Sequence, residues 1–272
     1  MQTAIYGADV KKGGRVAKRM GLMAIGWVLF WLACPLAALA AESYRFVTFD
    51  FPPLEYATEG QQAEGIAVDI VREVMRALGH EVTITVYPWT RALRMATTGT
   101  VDAIFTAYRN AERERYLDFS NEVLFPQVVY FYAKRDAAIA FDGHLQSVAG
   151  LRIGVVSTIS YGQRFDQAKP ALMIDKAREL EHNFKKLLLD RIDLVPSNIH
   201  VAEYTLATLE WGDLITRLPR QIERVPSYIA FSKKRRLEGL RDRFDAQLVQ
   251  MKASGTYEAI MQKYNIQLLE PQ

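Results

Sequence analysis

The chain has 272 residues, of which 50% are hydrophobic and 24% charged, so it can bury one large domain or two small ones. Its formal net charge is +3, but the basic excess lies in the first nineteen residues and the remainder is close to neutral. This balance argues against a nucleic-acid partner.

The first 41 residues have the three parts of a secretory signal peptide. An apolar run over residues 21–33 follows a basic segment, and Ala38 and Ala40 offer small side chains at a cleavage site. The run is short and Pro35 follows it soon, which argues against a membrane span, although a retained anchor is the alternative. The basic residues of this segment are Lys11, Lys12, Arg15, Lys18 and Arg19.

The only cysteine of the chain, Cys34, also lies in this segment. Trp31 stands three residues before it, where a lipoprotein signal prefers a leucine-like residue, so lipidation is a weak alternative. The exported part therefore has neither a disulfide nor thiol chemistry, which is typical of a long bacterial periplasmic domain. The sequence predicts a periplasmic protein with a cleaved signal peptide.

The pattern of residues 42–133 predicts strands that alternate with helices. β-Branched and aromatic runs predict the strands, and apolar residues at helical spacing predict the helices between them. The β-α-β-α-β order is typical of a mostly parallel sheet. Strands are predicted at 44–49, 82–86 and from 101, helices at 65–79 and 88–99, and a longer strand at 128–133.

A second α/β unit is predicted after residue 134, and two helices then close the chain. Together, the predicted strands and helices indicate an α/β protein with two small lobes rather than one sheet. The predicted strands are 151–156, 192–195 and 228–231, and the predicted helices are one after the turn 157–162, then 179–189, 202–209, 237–251 and 257–264.

Polar and aromatic side chains follow the predicted strands, where ligands bind in open α/β sheets. A guanidinium fork matches a carboxylate, and aromatic walls with a few polar groups are typical of a small-molecule pocket. In the second unit, the start of a helix offers backbone N–H groups beside Ser160. The candidates in the first unit are Phe51, Trp89, Tyr108, Arg91, Arg109 and Arg113.

These residues also have structural interpretations, which the sequence leaves open. Trp89 can belong to the core, Arg113 can stabilise its own loop through Glu112 or Asp118, and residues 157–160 can simply cap a helix. The four histidines lack paired ligand spacing, and neither a Gly-x-Ser-x-Gly motif nor a phosphate-binding glycine loop is present. The sequence therefore predicts no metal, no cofactor and no enzyme.

Several short motifs, taken in order, resemble the family 3 solute-binding proteins of bacterial ABC importers, the polar amino acid receptors. The resemblance covers residues 42–272, and the elements at 87–89 and 107–109 indicate a divergent branch. The motifs are Phe-Pro-Pro at 51–53, Gly-Ile-Ala-Val-Asp at 65–69, Gly-Thr-Val-Asp-Ala-Ile at 99–104, Glu-Arg at 112–113, Asp-Phe-Ser at 118–120, Leu-Arg-Ile-Gly-Val at 151–155, Arg-Ile-Asp at 191–193, Gly-Thr-Tyr at 255–257 and Lys-Tyr at 263–264.

The resemblance implies a periplasmic binding protein-like fold of type II, in which two α/β lobes are joined by a two-strand hinge. The chain would cross between the lobes near Ala133 and near Ser227. The implied bounds are a signal peptide at 1–41, lobe 1 at 42–133 plus 229–272, and lobe 2 at 134–228.

The resemblance also implies a ligand site. Arg113 matches the arginine that binds a ligand α-carboxylate, and Phe51 and Trp89 match the walls. A shorter loop before Arg113 brings Arg109 into consideration for the same anion, and Asn198 stands where the family usually has an aspartate for the ligand's α-ammonium, which puts an ordinary α-amino acid in doubt. The other implied ligand-binding residues are Thr106, Ser160 and Tyr161.

The function implied is that of a monomeric periplasmic receptor. It would capture an amino acid or a related amine or carboxylate between its lobes and deliver it to an ABC transporter permease in the inner membrane. The alternatives are a dehydratase-like enzyme on the same fold and a ligand-sensing domain for a membrane signalling partner.

Overall fold

Alternation of β-branched strands with amphipathic helices gives the chain a mixed α/β fold. The structure, a computed structural model, describes residues 42–266; the predicted signal peptide, Cys34 and the last six residues lie outside this range. The strands are β1 (Ser43–Thr48), β2 (Tyr56–Ala57), β3 (Ala63–Glu64), β4 (Glu81–Val86), β5 (Ala103–Tyr108), β6 (Leu117–Phe119), β7 (Phe125–Lys134), β8 (Arg152–Val156), β9 (Met173–Ala177), β10 (Val195–Asn198) and β11 (Ile215–Ser232). The helices are α1 (Ile66–Ala77), α2 (Trp89–Thr98), α3 (Gln163–Ala168), α4 (Leu180–Leu188), α5 (Ile199–Thr208), α6 (Glu238–Ala253) and α7 (Thr256–Lys263), with 3₁₀ turns at Arg113–Arg115, Leu145–Val148, Lys169–Ala171 and Lys233–Arg235.

The central sheet has the strand order β10-β7-β11-β5-β1-β4, and β6 pairs with β11. The predicted parallel arrangement is found for β1 with β4 and for β1 with β5, each pair joined by a helical crossover. The strands β11, β7 and β10 are antiparallel to their neighbours. β7 therefore runs in the same direction as β5, whereas β11 and β10 run in the opposite direction.

The expectation that the halves share no sheet is wrong, because two long strands carry the hydrogen bonding through both. β7 and β11 pair from Ile215 opposite Lys134 to Ser227 opposite Phe125. The sequence indicated only residues 228–231 of β11, since its first part carries many polar and charged residues.

Four apolar clusters form the core. Two lie in the first half of the chain with α6 and α7, where Phe46, Phe231 and Phe244 pack edge to face. The other two lie in the second half, where Phe131 packs on Phe165. Along β7, Phe125 belongs to a cluster of the first half, whereas Val128 and Val129 belong to the two clusters of the second half. The lobe bounds and the crossing points remain a prediction.

The C-terminal helices return to the first half, as the resemblance implies. Tyr257 donates its hydroxyl hydrogen bond to the carbonyl of Leu124 at 2.9 Å, and Lys263 binds Asp69 at 2.6 Å. The buried Asp245 carboxylate accepts from the backbone N–H groups of Asn121 and Glu122. Phe125 and the following strand are therefore anchored to the far end of the chain.

Two elements of the second half differ from the prediction. β10 begins at Val195 rather than at residue 192, because residues 192–194 run beside β8, where Gly154 N–H donates to the Leu194 carbonyl at 2.8 Å. The strand β9 was not predicted, since its sequence MIDKA has neither a continuous apolar run nor a β-branched majority. Within residues 42–266, no helix has the length and apolarity needed to span a membrane.

Candidate functional site

A cavity of about 560 Å³ lies at the carboxyl ends of β1, β4 and β5. Loops of the first half form one side of it. The end of β8 with the loop that follows it, and the starts of α4 and α5 with the residues before them, form the other. The structure brings eight of the ten predicted residues to its lining, namely Phe51, Trp89, Thr106, Tyr108, Arg113, Ser160, Tyr161 and Asn198. Ligand binding by these residues remains a prediction.

Arg113 supplies a half-buried positive charge to this cavity. Its Nη1 donates to the carbonyl of Tyr108 at 2.7 Å, and its Cζ lies 4.7 Å from the centre of the Trp89 ring. Burial lowers the pKa of Arg113, although a guanidinium remains protonated at any physiological pH. No carboxylate of the described residues pairs with it, so its remaining donors are available to an anion.

Aromatic rings form the wall beside Arg113. Phe49 lies 5.0 Å from Trp89 and 5.6 Å from Phe51, measured between ring centres. Trp89 packs on the core and also lines the cavity, so both of its predicted roles are compatible with its position. Phe49 was not predicted as a lining residue, because the sequence pattern makes it the last residue of the predicted strand 44–49.

The loop that carries Phe51 is held by the start of α1. Ile66 N–H donates to the carbonyl of Pro53 and Ala67 N–H to that of Leu54. This contact is possible because Gly65 has a φ of 124° and no side chain; a Cβ there would lie 2.4 Å from the Leu54 carbonyl oxygen. The glycine therefore sets the position of an aromatic wall.

Arg91 and Arg109 lie outside the cavity lining. The Arg91 guanidinium stacks over Tyr87 at 4.2 Å, on the side of α2 away from Trp89, since residues two apart on a helix face nearly opposite directions. Arg109 is exposed and pairs with Glu114. Of the three predicted arginines, Arg113 alone lines the cavity.

Thr106 lies on the cavity floor with an unusual backbone conformation. Its φ is 55°, a region that β-branched residues rarely adopt, and the pairing of β5 with β11 shifts register beside it. Its hydroxyl donates to Oε1 of Glu55, a fully buried residue that sequence reasoning missed. A residue held in such a conformation at a cavity is typical of a functional position.

The Glu55 carboxyl is isolated from water and from cations. Its Oε2 has no hydrogen-bond partner among the described residues. Burial raises the pKa of Glu55 well above its ordinary value, and the charge of nearby Asp50 adds to the rise. The group is therefore held in the protonated, neutral form across a wider pH range than in the unfolded chain.

We expect Glu55→Gln to remove a pH dependence of stability. Because the folded pKa is raised, the contribution of Glu55 to the free energy of unfolding of the wild type is fully present below the ordinary value of 4.5 and is lost as pH rises through the folded pKa. The slope is at most about 1.4 kcal/mol per pH unit. The neutral amide abolishes this loss, so the variant gains stability over the wild type between pH 5 and pH 8 in urea unfolding. Glu59→Gln, at an exposed position of the same region, is the control; parallel profiles for wild type and Glu55→Gln contradict the assignment.

A buried network of neutral polar groups forms the rest of the floor. Oε1 of Gln127 accepts from the Tyr108 hydroxyl at 2.9 Å and from Nδ2 of Asn198 at 3.5 Å. Oδ1 of Asn198 caps α5 by accepting from the backbone N–H groups of His200 and Val201. Burial raises the pKa of Tyr108, which keeps its hydroxyl protonated. Gln127 was not predicted as a cavity residue. The only sign of such a role in the sequence is a polar residue inside an apolar strand.

Ser160 and Tyr161 face the cavity from the second half. The Ser160 hydroxyl donates to Asp166 and accepts from the Gly162 N–H at 3.4 Å, so it offers a ligand at most one acceptor site. The Tyr161 hydroxyl accepts from Val156 N–H at 2.7 Å. Charged side chains at the mouth of the cavity are exposed, namely Asp50, Arg178, Glu179 and Glu181.

A second depression, of about 630 Å³, lies on the outer side of α1. It is open and charged, and two ion pairs line it, Arg76 with Glu73 and Lys263 with Asp69. In contrast to the first cavity, its described lining residues include no Phe, Tyr or Trp. Among the described residues, no group of three or more His, Cys, Asp or Glu side chains is placed to hold a metal ion.

The central sheet and the cavity between its loops define a periplasmic binding protein-like fold. The family model of the bacterial extracellular solute-binding proteins, family 3, matches residues 46–267, and the chain belongs to this family. No curated protein sequence matches the chain.

Solved structures of three kinds share the fold. A histidine kinase sensor domain similar to periplasmic binding proteins is 18% identical, with 85% of this chain and 99% of that chain covered and a TM-score of 0.73. An ancestral arginine-binding protein bound to arginine is 22% identical, with 82% and 98% covered and a TM-score of 0.68. The ancestral amino acid-binding protein AncCDT-1, a precursor of cyclohexadienyl dehydratase, is 20% identical, with 82% and 95% covered and a TM-score of 0.66.

Proposed function

We propose that this protein is a periplasmic receptor that captures a small polar ligand, an amino acid or a related amine or carboxylate, and delivers it to an ABC-type importer. One observation carries the proposal: Arg113 is half-buried in an aromatic-walled cavity, and no carboxylate of residues 42–266 pairs with it. A buried cation without a counter-charge is costly, so a ligand anion at this position gains the full charge-assisted contact.

The origin of the lining residues supports capture by closure. Phe51 and Arg113 come from the first half of the chain, whereas Ser160 and Tyr161 come from the second, and β7 and β11 connect the two. A ligand that touches both sides binds a closed form more tightly than an open one and shifts the population towards it. The permease would recognise the closed form.

Location and partner rest on membership of an extracellular solute-binding family and on the predicted signal peptide. The permease in the inner membrane is the proposed partner, and the receptor is proposed to act as a monomer. The likeness to a kinase sensor domain favours signalling as the alternative role. Deletion of the gene separates the two, since a receptor for an importer is needed for uptake of its ligand and a sensor is needed for a transcriptional response.

A thermal-shift screen of the purified protein against amino acids, amines and small carboxylates tests the proposal. A ligand at 100 times its dissociation constant adds about 2.7 kcal/mol to the free energy of unfolding, which is a clear shift. We expect at least one carboxylate to stabilise the protein and to be recovered unchanged by mass spectrometry. Conversion of the compound contradicts the receptor in favour of an enzyme, and the absence of any shift contradicts ligand capture.

A further inference from the structure

The interior of the cavity carries a single charge. Among the described lining residues, Arg113 is the charged side chain that is not exposed, whereas the carboxylates of Asp50, Glu179 and Glu181 lie exposed at the mouth. The interior is otherwise apolar or neutral and polar, and burial favours the neutral form of Glu55 behind Thr106. A bound monoanion therefore balances the interior charge.

The amide oxygens of Asn198 and Gln127 are already used as acceptors. Oδ1 of Asn198 accepts two backbone hydrogen bonds, and Oε1 of Gln127 accepts from Tyr108 and Asn198. What these two amides still offer a ligand is donor capacity, since none of the described residues accepts a hydrogen bond from Nε2 of Gln127. Such a surface suits a ligand atom that accepts, such as a hydroxyl or carbonyl oxygen.

The start of α5 adds to this preference. Asn198 is its N-cap and lines the cavity, so the positive end of the helix dipole lies at the cavity surface. An ammonium group only donates hydrogen bonds and carries a positive charge. Close to this helix end it meets occupied acceptors and a field of the wrong sign.

Resting on the proposed function, we infer that the ligand is a carboxylate without an ammonium group beside its carboxylate, of the 2-hydroxy or 2-oxo acid class. The carboxylate binds Arg113, and the neutral oxygen substituent faces the amides of Gln127 and Asn198. Burial of an ammonium without a carboxylate partner carries a large desolvation cost, so the matching 2-amino acid binds more weakly.

Matched acids that share a side chain test this inference in titration calorimetry with the whole protein. Suitable sets are lactate, pyruvate and alanine; phenyllactate, phenylpyruvate and phenylalanine; and 2-hydroxy-4-methylpentanoate, 4-methyl-2-oxopentanoate and leucine. In the set that binds best, we expect the hydroxy or oxo acid to bind at least about tenfold more tightly than the amino acid. Equal or tighter binding of the amino acid overturns the inference and leaves the proposed receptor function intact. If no member of any set binds, and the wider screen also gives no shift, the results contradict both the inferred ligand class and the proposed receptor function.

The variant Asn198→Asp provides the reciprocal test. Aspartate caps a helix as well as asparagine does, so α5 is retained, while the cavity gains a carboxylate. We expect the ratio of amino acid to hydroxy acid affinity to rise at least about tenfold. A ratio equal to that of the wild type overturns the placement of the substituent at Asn198. Asn265→Asp, at an exposed position outside the lining, adds the same charge to the protein and controls for a general electrostatic effect.

Discussion

Replacement of Arg113 by alanine is expected to weaken ligand binding by about 2–5 kcal/mol, which is at least about thirtyfold in the dissociation constant. The variant leaves a bound carboxylate in a partly buried cavity without its counter-charge. Fold stability changes little by comparison, because the side chain makes one hydrogen bond, to the Tyr108 carbonyl, and stacks on Trp89 at the cavity surface. Calorimetric titration with the ligand identified by the screen measures the first effect, and urea unfolding measures the second.

Two further arginine variants sharpen this experiment. Arg109→Ala removes an equal charge four residues away, at an exposed position paired with Glu114, and should leave affinity nearly unchanged. Arg113→Lys keeps the charge but loses the planar fork and the stacking, so an intermediate affinity is expected. Wild-type affinity in Arg113→Ala, or an equal loss in Arg109→Ala, contradicts the assignment of the anion site.

Gly65→Ala is expected to destabilise the protein by about 3–5 kcal/mol, since it combines backbone strain with a clash. The added Cβ would meet backbone atoms, with the Leu54 carbonyl oxygen at 2.4 Å and Glu55 Cα at 2.9 Å, and backbone cannot turn aside as a side chain can. Relief requires the loop of residues 51–55 to move, so the wall at Phe51 is displaced and ligand affinity falls as well. Urea unfolding measures the first effect.

Gly79→Ala is the matched control. Gly79 also has a positive φ, of 76°, but no heavy atom lies within 4 Å of its added Cβ. It should therefore lose only about 1–2 kcal/mol from the left-handed conformation itself. If the two variants lose equal free energy of unfolding, the clash with Leu54 does not destabilise the protein, which contradicts the role given to Gly65.

Much of the fold was predictable because burial leaves a periodic signal. The helices α1 and α6 each carry an apolar stripe, and β7 is nearly continuous in apolar residues. The strand β11 was mostly missed because the residues before Pro226 alternate with charged side chains that face solvent. Its position is decided by pairing with β7 and β5, a tertiary contact that no local pattern contains.

The sequence predicted most of the residues that line the candidate site, but not which arginine faces the cavity or which buried polar groups support it. The motif resemblance indicated Arg113 and Phe51, but a run of arginines does not reveal which one faces inward. Helix phase separates Arg91 from Trp89, and a neighbouring carboxylate binds Arg109 at the surface. Glu55 and Gln127 are single polar residues in apolar surroundings, and only the folded arrangement shows that they hold Thr106 and Tyr108.

The return of α6 and α7 to the first half sets the order in which the protein can fold. Tyr257 binds Leu124 across 133 residues of sequence, and Lys263 binds Asp69 across 194. Contacts so distant in sequence are slow to form, because a long loop must close before they repay its entropy. A chain that lacks α6 and α7 therefore lacks contacts that complete the half that holds Arg113.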